Sequence, residues 1–328
     1  MWGITRLKKS TLYLLIGIVI LAVAPIYFPT YWIQMLSQVL IMALFATSIN
    51  IEMGYAGMMP MGQTTFFGFG AYAYGILFLK GGVSMPLAII LTLVLSLLVN
   101  IIIGTLCLRG KAFTFGLLHM GFNLLAAILV TKWIGLTGGD PGMTGIPRPE
   151  IFSSPLAFYF MVLGVVVICY IIIRMIMNSP FGRMSQGLRE NEERLIFLGV
   201  NTKRYQLVIF VIAGFFSAVA GILLAMLNRG AFPSYISILL SAQGMMMCLI
   251  GGMFSFMGPS LGACIIVLFS NITAIYTRQY SALLGVIMIV SVLTFRGGIL
   301  RSKKIGILGK KKPNLDPNVK ANAAGSSK

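Results

Sequence analysis

This chain is short of negative charge. Its 328 residues hold seven Asp and Glu against 25 Lys and Arg, and charged residues of both signs make up only 10% of the whole. A soluble domain carries about 25% charged residues, so an ordinary water-exposed globule is excluded. Histidine occurs once, as His119. The four cysteines, Cys107, Cys169, Cys248 and Cys264, show no CxxC spacing and fall within or at the ends of apolar segments. They read as core thiols, not as disulfides or metal ligands. No Gly-rich loop ends in Gly-Lys-Ser/Thr: Gly110-Lys111 is followed by Ala112, and Gly309-Lys310 by Lys311. Phosphates therefore lack their usual cradle, and no nucleotide site, metal, cofactor or catalytic centre is expected.

Hydrophobic residues are abundant, at 58% of the chain with a mean hydropathy of +0.94. Apolar stretches of about 17–25 residues cross a bilayer as helices, because backbone polar groups in lipid must be satisfied within the segment. Ten stretches qualify: 12–28, 33–53, 62–79, 86–108, 113–134, 156–177, 205–227, 236–257, 260–276 and 281–299. The third and ninth are Gly-rich and least certain to cross fully. The expectation is an all-α, polytopic membrane protein with about ten transmembrane helices. Residues 1–300 form one membrane domain, and 301–328 a basic, disordered tail drawn to anionic lipid. A competing reading makes the first stretch a cleaved signal peptide ending at Ala22-Val23-Ala24, although Pro25 after the cut disfavours it.

A net charge of +18 suggests nucleic acid in a soluble protein, but here its distribution follows topology. With a cytoplasmic N-terminus, ten crossings put 20 basic residues inside and five outside, the five being Lys80, Lys132, Arg148, Arg229 and Arg278. Both termini are thus expected in the cytoplasm, and no nucleic acid is expected as a partner.

Three strings break the apolar pattern. Gly54-Tyr55-Ala56-Gly57 through Met61-Gly62-Gln63 separates spans two and three. Such glycine permits either tight helix packing or unwound backbone that lends carbonyls to a pathway. A faint echo at Met257-Gly258 hints at an internal repeat. Leu136 to Pro147, with Thr137, Gly138, Gly139, Gly142 and Gly145, falls in the largest outer loop. It reads as a set of turns, or as a contact for an external partner or the pathway mouth. Residues 177–204 form a charged island that must meet water. It reads as a short helix with Leu188, Leu195 and Ile196 on one face and Gly199 as its stop.

The lone histidine and one carboxylate lie inside spans. His119 is expected to pack or to hydrogen-bond between helices, since a proton relay needs carboxylates in the same layer. Glu52, near the inner end of span two, is an interfacial or Arg-paired carboxylate, or else takes part in transport.

Together, GYAGMMPMGQTTFFGFGAY (54–72), TGGDPGMTGIP (137–147) and SPFGRMSQGLRENEERLIFLGV (179–200) resemble the branched-chain amino acid permeases of bacterial ABC importers. IGGMFSFMGPSLGA (250–263) and TFRGGILR (294–301) extend the resemblance over residues 35–301. It implies a multi-pass subunit of the bacterial inner membrane, not itself an enzyme. Implied partners are ATPase subunits, a second related permease completing a heterodimer, and a periplasmic or lipid-anchored binding protein. It also implies that Arg189, Glu190, Asn191, Glu192 and Gly199 form the ATPase-coupling loop. Glu52, Gly54, Tyr55, Gly57 and Gln63 are the pathway or gate candidates. Three departures stand out: Met58-Met59-Pro60 replaces a more polar run, and Glu52 and Glu193 occupy usually apolar places. Related permeases carry urea, short amides or other small polar solutes. The more distant alternative is a stand-alone secondary transporter or channel.

Overall fold

The computed structural model describes residues 28–110 and 112–276, together with Pro25 and Gly285. The first and tenth expected spans and the basic tail lie largely or wholly outside the described residues. Eight apolar helices match the other eight stretches: α1 (Thr30–Asn50), α2 (Thr64–Leu79), α3 (Met85–Cys107), α4 (Ala112–Lys132), α5 (Pro155–Asn178), α8 (Thr202–Leu227), α9 (Ile238–Gly251) and α10 (Gly258–Tyr276). Two short helices, α6 (Pro180–Glu190) and α7 (Glu192–Phe197), link α5 to α8. Five of the apolar helices, α1 with its π-helical extension to Tyr55, α3, α4, α5 and α8, are long and apolar enough to cross a membrane. The remaining three are shorter.

The helix α9 is shorter than its apolar stretch, and its ends explain why. Pro233 starts a 3-10 turn, Ser237 Oγ accepts the Leu240 N–H at 3.2 Å, and Gly252 at φ +111° ends the helix. Fourteen residues rise about 21 Å, less than the roughly 30 Å hydrocarbon core.

Burial sorts the helices into centre and periphery. Within the best span windows of α1 and α8, 78% and 72% of residues are buried, against 22% in α4. Seen from the sequence, α3 is inside out: Ala88, Thr92, Ser96, Asn100 and Gly104 face the protein, while Ile90, Val94, Leu98 and Ile102 stand exposed. In lipid this is the favourable arrangement, because small and polar residues let helices approach and apolar ones solvate the exterior. The backbones of α2 and α8 approach closely. A Cβ on Gly70 would strike the Ala218 carbonyl, and one on Gly221 the Phe67 carbonyl. One end of the bundle carries a two-residue antiparallel ladder, β1 (Met143–Thr144) on β2 (Gly230–Ala231). The opposite end carries α6, α7 and the α9–α10 turn.

Candidate functional site

The chain breaks where α1 runs out. Ile51–Tyr55 winds as a π-helix, a form concentrated at functional sites, and regular helix resumes only at Thr64. Glu52 is fully buried there, and neither carboxylate oxygen has a hydrogen-bond partner. The Glu52 carbonyl accepts from Met58 N–H at 3.0 Å, folding the unwound segment back on the π-turn. Gly57 holds φ +71°, the left-handed region that favours glycine. Gln63 is buried with its amide unpartnered, while its carbonyl accepts from Ser217 Oγ at 3.2 Å.

Beyond the break, a polar knot holds the start of α2. Thr64 Oγ1 lies 2.7 Å from Ser241 Oγ on α9, and Asn123 Nδ2 on α4 donates to Thr64 Oγ1 and Thr65 Oγ1 at 2.9 and 3.1 Å. His119 packs on the Gly62 backbone within a box of Phe66, Phe115 and Phe210, with ring centroids 5.0–5.8 Å away. Among the described residues, Glu52 and His119 are the only buried Asp, Glu, His, Lys or Arg. No group of three potential metal ligands forms among them.

The charged island is two helices, not one. Asn191 is extended at φ −165°, and its Oδ1 accepts the Arg194 N–H at 2.9 Å, capping α7. Glu192 and Glu193 then occupy the first turn of α7, where the helix dipole favours negative charge. Glu192 also accepts from Gln206 Nε2 at 3.1 Å. Gly199, at φ +79°, donates to Ile196 O at 2.9 Å, and Val200 to Leu195 O at 3.0 Å, the paired bonds of a Schellman stop. Leu188 and Leu195 are buried as the periodicity predicts, but Ile196 is 54% exposed. With Phe197 at 90% and Leu198 at 72%, it forms an apolar tip that sequence reading missed. The clue was three apolar residues just before a helix-stopping glycine.

Arg189 points elsewhere. Its guanidinium donates to the Gly54 carbonyl and lies 4.7 Å over the Phe254 ring in the α9–α10 turn. Glu190 beside it is exposed.

At the opposite end Gly138, Gly139, Gly142 and Gly145 all hold positive φ, so the predicted turns are present. Thr137 Oγ1 donates to Trp133 O at 2.8 Å, and Gly145 and Ile146 N–H donate to Arg229 O. Arg148, which sequence reading did not single out, caps α8. Its Nη2 donates to Leu227 O at 2.8 Å, and its face covers Phe158 at 4.6 Å. Burial, and secondarily the nearby Arg229, hold the Arg148 guanidinium pKa below its usual range.

A cavity of about 500 Å³ opens between α1, α9 and α10. Gln38, Asn228, Gln243 and Asn271 bring side-chain amides to its lining, Ser234, Tyr235, Ser237 and Ser270 bring hydroxyls, and none of its described lining residues is charged. None of the five sequence-derived gate residues reaches it.

A family model described as "Branched-chain amino acid transport system / permease component" matches residues 31–293. The chain belongs to this family. Among similar permeases, the high-affinity branched-chain amino acid transport permease LivM of Salmonella typhimurium is 23% identical over 89% of this chain and 75% of its own length. The probable branched-chain amino acid permease LivM of Methanocaldococcus jannaschii is 23% identical over 73% and 80%. The L-arabinose transport permease AraH of Escherichia coli is 26% identical over 63% and 68%. No solved structure matches the chain. A membrane-spanning permease is thus what these helices build.

Proposed function

We propose that this permease is the transmembrane subunit of an ATP-binding cassette importer for branched-chain or related hydrophobic amino acids in the bacterial inner membrane. A second related permease completes the heterodimer, an external periplasmic or lipid-anchored protein delivers substrate, and separate ATPase subunits drive alternating access. The observation that carries this reading is the capped α6–α7 unit. It holds Ile196, Phe197 and Leu198 in the open on a segment that also exposes Glu190, Glu193 and Arg194, an apolar plug among charges of both signs. Exposed apolar tips of this kind fit a groove on a partner. The excess of basic residues supports a cytoplasmic position for that end and an external one, open to the binding protein, for the β1–β2 end.

Reversing charge in a Glu190→Lys, Glu192→Lys double variant should uncouple ATP hydrolysis from uptake while the purified protein keeps its unfolding temperature. Wild-type leucine uptake together with wild-type ATPase co-purification would sink the proposal.

A second reading keeps the architecture and changes the cargo to urea, a short amide or another small polar solute. The uncharged, amide-rich cavity favours it, as do relatives named for arabinose and ribose import. Competition of labelled leucine uptake by excess leucine, arabinose or urea separates the two. A stand-alone secondary transporter has little to work with, because the described spans bury only Glu52 and His119.

A further inference from the structure

Arg189 joins three pieces of chain that are distant in sequence. It sits near the end of α6, bonds the carbonyl of Gly54 in the α1 break, and stacks on Phe254 in the α9–α10 turn. A guanidinium can do both at once, because its edge donates while its face packs on a ring. Two glycines make the room. A Cβ on Gly57 would lie 2.8 Å from Arg189 Cγ and 3.2 Å from its Cα. One on Gly54 would collide with the Met253 carbonyl and the Asn50 side chain. The π-turn and the α9–α10 turn are therefore pressed together with Arg189 set across both.

We propose that Arg189 is a transmission residue: it carries displacement of α6 into the α1 break and the α9–α10 turn together. This inference rests on the ABC-permease reading and assigns Arg189 an intramolecular role distinct from that of the exposed tip. An ATPase that moves Phe197 shifts α6, and Arg189 then pulls on the Gly54 carbonyl and the Phe254 ring. The break opens or closes in step with the turn that ends the cavity-lining helix α9. Lysine, a point charge without a flat face, cannot hold both contacts.

The test uses the complete transporter, with its ATPase subunits and binding protein, in proteoliposomes. Arg189→Ala and Arg189→Lys should keep ATPase subunits bound and hydrolysing, while ATP-dependent uptake of labelled leucine falls about tenfold, a loss of coupling within the usual range. Phe254→Leu should give a smaller loss of the same kind. A second readout needs no substrate. Met59, 49% exposed within the break, is replaced in a Met59→Cys variant and labelled with maleimide with and without vanadate trapping. Trapping should change labelling with Arg189 present and leave it unchanged in Arg189→Lys. Loss of bound ATPase in either Arg189 variant would make the residue an intersubunit contact and overturn the proposal. Unchanged uptake in Arg189→Lys would overturn it too. Absence of both ATPase binding and the trapping response in the parent protein would instead reject the ABC-permease reading.

Discussion

Glu52 is a carboxylate sealed in protein with no donor to meet it. Leaving an unpaired ion in such a place is costly, so a neutral group of the same shape is tolerated there unless the charge is used. Glu52→Gln should therefore leave leucine uptake within about twofold and hold or raise the unfolding temperature in detergent, in line with a buried carboxyl group that serves no pair. A collapse of uptake at normal stability would instead make Glu52 part of the transport path. Gly54 behaves differently, since a methyl group there has nowhere to go. Gly54→Ala should cost about 1–3 kcal/mol of stability, read from thermal unfolding, as over-packed sites do. Individual glycines were legible in the sequence because positive φ and close approach each leave that residue behind. The partner of Arg189 was not, since it lies 135 positions away and only folding brings it near.

At the scale of elements, helix existence was largely written in hydropathy, and helix ends in local chemistry. All eight apolar stretches within the described residues became helices, because each had to satisfy its own backbone. The island was harder. Its amphipathic period was correct for Leu188 and Leu195, but Asn191 caps a new helix, and Ile196 lies at the surface instead of in the core. Asn191→Ala should remove that cap at a cost of about 1 kcal/mol. The effect should appear as faster proteolysis within α7, with the spans intact. Phe197→Asp should act further out. ATPase co-purification should be lost while the unfolding temperature stays at the parent value, because the side chain touches little of its own protein.

For the whole molecule, two engineered thiols test sidedness. A maleimide that cannot cross membranes should label Phe197→Cys only in inverted vesicles and Asp140→Cys only in intact spheroplasts. The cavity wall was not legible at all. Its amides come from α1, α9, α10 and the end of α8, and no short motif contains them. The scarcity of ionisable side chains in the buried spans has one more consequence, which concerns voltage. Moving one elementary charge through 100 mV is worth about 2.3 kcal/mol, and proteins that sense the field carry several such charges on mobile helices. Here the described interior offers a single carboxylate near one end and one imidazole boxed in rings. Switching between outward and inward access would then displace almost no gating charge. Uptake of a zwitterion should proceed at the same rate whether the membrane is polarised or clamped at zero, with ATP as its only electrical or chemical master.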